Sequence, residues 1–456
     1  MRTLGPAFCV LAVILTATAP AHSEPFKLEY RSGDPSERGI SPGEREAVPL
    51  AALPEGVSLP PNAGVNPFFA KWETPLAKGG FVYLAATKNE ENGLYESLFV
   101  DTNCDGKLAD ESPIASIERG PERFAPVDLV FPGQGTDLRY RIAVQVRTVG
   151  YMSYPAREVT TLVVQSDCWY EGDVILDGQT YRIALVDGTA NGVFDDTSMD
   201  LSKVDFIAIG EAGAKTLDHR CMGKYIQIGG KIYHPKPARF GGGIEFLPPE
   251  PFTTGTVRVN GEATSLTLAS ENGELSFDLV DGKAAFPVGK WIPKFWTSTR
   301  KDADGASWTL KAVDFPPRTI FEVIDGRESI LDTGEPVNAR IGWAGEYRGV
   351  TDGPMKPVYF FAIGGRIGEV VHVTRNGARP PAPVLRIRSA DGAFDETVAF
   401  EYGWGSDYTL SWREPPDAKG PFTGSFEFQT PFKMNAEPLT TIDAPPPLKL
   451  PDPRLQ

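Results

Sequence analysis

The stretch DTNCDGKLADE, residues 101–111, sets Asp101, Asn103, Asp105 and Asp110 around Gly106 at a spacing that can wrap a hard cation in oxygen ligands. Calcium takes six to eight oxygens, and a loop supplies them from side chains at its first, third and fifth positions, a carbonyl at the seventh and a closing acid. Here those are Asp101, Asn103, Asp105, the carbonyl of Lys107, and Asp110 or Glu111. Gly106 permits the sharp turn that brings the first three round a common point. Leu108 would point into a core and tether the loop. The same residue types also build a plain Asp-rich turn whose side chains satisfy its own backbone, and both readings stay open at this level.

A second copy begins at Asp187. Tyr95 to Asp101 aligns with Tyr181 to Asp187 without a gap, and the match runs on through Gly106 with Gly192, Leu108 with Phe194, and Asp110 with Asp196. Its candidate ligands are Asp187, Thr189, Asn191, Asp195 and Asp196. With fewer carboxylates among the first three, this loop should hold calcium more weakly or not at all.

Other chemistry is thin. His219, His234 and His372 lack the paired spacing of a zinc site. No Gly-x-Ser-x-Gly elbow occurs, and Gly241-Gly242-Gly243 runs into Pro248-Pro249 rather than a helix, so it reads as a loop and not a phosphate cradle. A carboxylate pair for glycoside hydrolysis could sit among sixty acids without leaving a signature. Cys168 and Cys221, each before a similar strand pattern, are the better candidates for a disulfide than Cys104. Trp291, Trp296, Trp343, Tyr402, Trp404 and Trp412 are core anchors or, around Phe400–Trp404, a face on which sugar rings could stack.

The elements that must carry these residues are strands. Tyr140–Arg147, Thr256–Val259, Ser265–Leu268 and Leu275–Val280 alternate polar and apolar. Asp-Gly or Asn-Gly pairs punctuate the chain at 177, 260, 272, 281, 304, 325, 376 and 391, as tight hairpins require. Long 3.6-residue periodicity is missing. The expected fold is mainly β: tandem antiparallel, Ig-like sandwich modules with inserted Asp-rich loops. Expected segments are 1–23, a signal peptide with a short apolar core and small-residue cleavage sites; 24–68, a Pro-rich extended arm; 69–220, a module holding both loops; 221–316 and 317–436, two further β modules; and 437–456, a Pro-rich tail.

The formal charge is −15 over 456 residues, and loss of residues 1–23 makes it about −16 because Arg2 is the only charge there. No basic block is present, which argues against nucleic acid as a partner. The apolar leader is too short to span a bilayer, and no cysteine follows it to take a lipid, so a membrane anchor has no support. The expected location is periplasmic or extracellular.

The loop at Asp101 resembles those of EF-hand and dockerin proteins over about a dozen residues, but Ser112 stands where their closing acid would be and Tyr95–Val100 reads as a strand. Their helix-loop-helix fold and sensor role therefore do not carry over. In style, the chain resembles secreted bacterial β-rich proteins of unassigned activity with calcium-type loops between Ig- or prealbumin-like modules. That resemblance brings no known activity with it. The expected function is an exported, non-enzymatic scaffold or binding protein stiffened by calcium, with a carbohydrate or cell-surface protein as partner. The alternatives are carbohydrate binding through Tyr402 and Trp404, or a hydrolase.

Overall fold

Alternation of inward and outward side chains dominates the computed structural model, which describes residues 24–33, 35–117, 123–133, 135, 137–151, 157–316, 319–347, 356–402, 408–411 and 422–436. Among these the only helical segments are two 3₁₀ turns, Pro35–Arg38 and Leu201–Lys203. None is long or apolar enough to cross a membrane. The fold is mainly β, built of several sheets that are nearly all antiparallel. The expected signal peptide and Pro-rich tail lie outside the described residues.

The chain divides into two compact units, residues 1–250 with 271–273, and residues 251–270 with 274–456. In the first unit the arm supplies β1 (Phe26–Lys27), β2 (Glu29–Ser32), β3 (Glu44–Glu46) and β4 (Val48–Leu50). A first group follows, β5 (Val65–Glu73), β6 (Phe81–Lys88), β7 (Tyr95–Val100) and β8 (Ile114–Ala115). Next comes a long ribbon of β9 (Val127–Phe131), β10 (Leu138–Tyr151) and β11 (Arg157–Ser166). A second group is β12 (Cys168–Leu176), β13 (Gln179–Val186), β14 (Phe206–Glu211) and β15 (Asp218–Cys221). The closing strands are β16 (Tyr225–Ile228), β17 (Lys231–Pro237) and β18 (Gly243–Leu247).

These strands form four ladders, ordered β4-β5-β6-β7-β8, β3-β11-β10-β9, β15-β14-β13-β12-β2 and β1-β18-β17-β16. Period-two burial explains their packing. On β10, Tyr140, Ile142, Val144 and Val146 all turn inward, and they meet Trp72, Leu84, Leu98, Leu162, Ile183, Leu185 and Phe194 in one core. Asp177 (φ 49°) and Gly178 (φ 78°) make the two-residue link from β12 to β13, since a type I′ turn needs positive φ at both positions. Asp281-Gly282 and Asn376-Gly377 do the same.

In the second unit one ladder runs through Ser265–Ser270, Gly289–Lys301, Ser307–Val313, Val370–Arg375, Lys356–Gly364 and Val337–Tyr347. Two three-stranded sheets accompany it, centred on Thr254–Val259 and Val384–Ser389. The boundary expected at 316 falls between Ser307–Val313 and Phe321–Val323, and the latter strand pairs back onto Gly289–Lys301.

One expectation is overturned. Cys168 and Cys221 form no disulfide, and Cys104, Cys168 and Cys221 are all thiols. Cys168 opens β12 and Cys221 closes β15, with β13 and β14 between them. Three strand spacings amount to about 14 Å, roughly twice the Cα separation a disulfide spans.

Candidate metal-binding loops

Both Asp-rich loops occupy the same place in a local topology. The first links β7 to β8, the second links β13 to β14, and in each case the two strands are antiparallel neighbours. The leading aspartate follows the last strand residue, Val100 or Val186, so the strand fixes where its carboxylate emerges.

Within the loops the hydrogen bonds correspond position by position. Asp101 Oδ1 and Oδ2 accept from the backbone N–H groups of Asp105 (3.1 Å) and Gly106 (3.0 Å). Asp187 Oδ1 and Oδ2 accept from Asn191 (3.3 Å) and Gly192 (2.6 Å) in the same way. Asp105 Oδ1 accepts from the Lys107 N–H, and Asn191 Oδ1 from that of Val193, each at 2.9 Å. Positive φ falls at Cys104 (55°) and Ala190 (48°), then at Gly106 (84°) and Gly192 (92°). Asn103 Nδ2 reaches Asp110 Oδ2 at 3.5 Å, and Thr189 Oγ1 reaches Asp196 Oδ2 at 3.1 Å. Leu108 and Phe194 fill the inward slot and are buried, as their spacing predicts.

The loops differ in what remains free on the leading carboxylate. An ionised carboxylate offers about four lone-pair sites. Asp101 uses two of them, both for backbone N–H groups. Asp187 accepts five contacts: those from Asn191 and Gly192, the Thr189 N–H (3.0 Å), the Thr189 hydroxyl (3.3 Å) and the Tyr140 hydroxyl (2.6 Å). The second loop therefore closes on its own protein donors.

Its remaining groups are engaged as well. Asp196 Oδ2 accepts from Asn191 Nδ2 at 2.6 Å, and Asp195 pairs with Arg239 at 3.3 Å. Asp205, which the motif does not include, is fully buried and accepts from the N–H groups of Gly188 (2.9 Å) and Asp196 (2.7 Å). Burial, and then the charge of Asp187, pushes the Asp205 carboxyl up to about 9. Burial likewise raises Asp187.

The first loop is open to solvent. Asn103, Asp105 and Asp110 are exposed, whereas Asp101 is 2% exposed and burial raises its carboxyl. Lys107 Nζ lies 3.0 Å from Asp105 Oδ2, and that partner lowers the Asp105 carboxyl. Glu111 caps Thr102, accepting its N–H at 2.6 Å and its hydroxyl at 2.8 Å. Among the described residues no three His, Cys, Asp or Glu side chains converge as a metal-binding group. The donor set is nevertheless all oxygen, and it keeps unused acceptor sites on Asp101, Asn103 and Asp110. Burial, followed by the charges of Asp101 and Glu111, pushes the Cys104 thiol up to about 11, so it is protonated at neutral pH and a poor nucleophile.

The other candidates resolve differently. Trp291 and Trp296 are fully buried, and Phe400 is 2% exposed, so these aromatics anchor cores. For Tyr402 only the backbone is placed, in a short strand whose partner residue is Tyr408. Trp404 and Trp412 lie outside the described residues. Sequence reasoning missed Tyr140 and Asp205; Tyr140 reaches the loop from a separate strand, and Asp205 closes the same β13–β14 connection but lies beyond the motif's spacing. Compared with protein-family models, curated proteins and solved structures, the chain matches none.

Proposed function

We propose that this protein is an exported, non-enzymatic scaffold or binding protein in which loop 101–111 is a calcium-dependent staple. The observation that carries this reading is the unequal saturation of two otherwise matching loops. Asp187 has its lone pairs filled by protein donors, while Asp101 keeps two. Calcium would be held by Asp101, Asn103, Asp105, the carbonyl of Lys107 and Asp110. Asp105 would leave Lys107 and Asp110 would turn inward, both being surface groups free to do so. The ion would supply a cross-link between the end of β7 and the start of β8, in a loop that Leu108 tethers to a small cluster with Ala85 and Phe99.

Binding confined to the native state must raise stability, by about 2.7 kcal/mol at a hundredfold excess over Kd. The test is thermal unfolding of the chelated full chain with and without calcium. A rise in melting temperature that disappears in Asp105→Ala and persists in Thr189→Ala supports the staple. No calcium response in the parent chain removes it. N-terminal sequencing of protein recovered from outside the cytoplasm tests export separately.

A further inference from the structure

The arm supplies the terminal strand of four ladders at once. β1 lies beside β18, β2 beside β12, β3 beside β11 and β4 beside β5, and each acceptor strand has its other edge covered by a neighbour. Without the arm, four sheet edges in the first unit would present unpaired backbone groups. The paired stretches are short, from Phe26↔Ile244 at one end to Leu50↔Phe69 at the other.

Between β2 and β3 the arm also reads side chains. The Arg38 guanidinium sits 3.0 Å from the carboxylate of Glu171, which is only 2% exposed, and the Arg38 carbonyl accepts from the Leu217 N–H at 2.9 Å. Ile40 is buried among Trp169, Ala184, Val186, Ala208 and Leu217, which line the outer side of the β12–β15 ladder. Gly43 crosses directly over the second loop: a Cβ there would stand 2.1 Å from the Asp187 carbonyl oxygen. A buried carboxylate, an apolar socket and open strand edges together have the parts of a peptide-recognition groove.

We propose that residues 24–50 are a separable strand donor, and that the groove they occupy is an acceptor for a strand-forming segment with an Arg-Gly-Ile turn, exchangeable with that of a second copy. The linker 51–64 allows a clean test, since Glu55 and Gly56 are exposed and nothing lies within 4 Å of a Cβ at Gly56. A protease site is inserted after Gly56 in the full chain, the folded protein is cleaved, and fluorescein-labelled synthetic peptide 24–50 is added. The expected result is incorporation of the labelled peptide with retention of the near-ultraviolet circular dichroism signal. Peptides carrying Ile40→Asp or Arg38→Glu should incorporate at least about tenfold less. Loss of the native signal on cleavage, no incorporation of the parent peptide, or equal incorporation of Ile40→Asp would each overturn the proposal. None of these readouts depends on calcium at loop 101–111.

Discussion

Two aspartates in equivalent positions end up with different chemistry because Asp187 also accepts from the Thr189 N–H, the Thr189 hydroxyl and the Tyr140 hydroxyl. Tyr140 comes from β10, stacks on Trp72 (centroids 5.7 Å apart) and donates to Asp187 at 2.6 Å. Removing that donor takes a 2.6 Å hydrogen bond from a fully buried carboxylate, and a hydrogen bond to a charged group is worth about 1.5–3 kcal/mol. Tyr140→Phe should therefore lower the unfolding free energy measured in urea by that amount, whereas Tyr83→Phe, half-buried and outside the loop, should change it little. Asp205 gives the residue scale a pH signature. Its carboxyl stands at about 9 in the fold against 3.8 in the open chain, so the folded protein keeps a proton that the unfolded chain has released between those values. Its contribution is fully present below about pH 4 and is lost as pH rises through about 9. Midpoints measured at pH 5, 7 and 9 should fall in that order, and the slope should flatten in Asp205→Asn. A rising series would contradict the buried protonated acid.

At the scale of elements, the arm and the hairpins show how much depends on close approach. The type I′ links at 177, 281 and 376 were readable from Asp-Gly and Asn-Gly because positive φ is a local property of those residues. The alternation on β10 was readable too, since Tyr140, Ile142 and Val144 repeat at the strand period. Gly43 was not readable, because its need for a bare Cα comes from the Asp187 carbonyl, which is remote in sequence. Gly43→Ala should force the arm off the second loop and lower the melting temperature by several degrees, corresponding to about 2–3 kcal/mol. Gly79→Ala, with open space around it, is the control and should be near neutral. Equal effects would mean that the crossing carries no weight. The expected Cys168–Cys221 pair failed for a related reason: similar strand patterns do not reveal that two further strands lie between them.

Across the whole molecule, the division into two compact units makes a further expectation. Leu84 is buried in the first unit and Ile387 in the second, and truncation of such residues to alanine costs about 2–5 kcal/mol. Calorimetry of the full chain should show Leu84→Ala and Ile387→Ala lowering different transitions. Only the transition lowered by Leu84→Ala should move with calcium. A calcium response in the other would dissociate the metal from loop 101–111. What the sequence by itself determined here is what short-range physics encodes: strands from period-two patterning, tight turns from Gly with Asn or Asp, and two loops with the same backbone course from the same spacing. What only the tertiary structure decided is the state of those loops. Tyr140 is delivered to the second loop by strand pairing over a long separation, and with the loop's own Thr189, Asn191 and Gly192 it fills the acceptors of Asp187. The first loop faces solvent with lone pairs to spare, so one motif yields a closed turn and an open candidate for a cation.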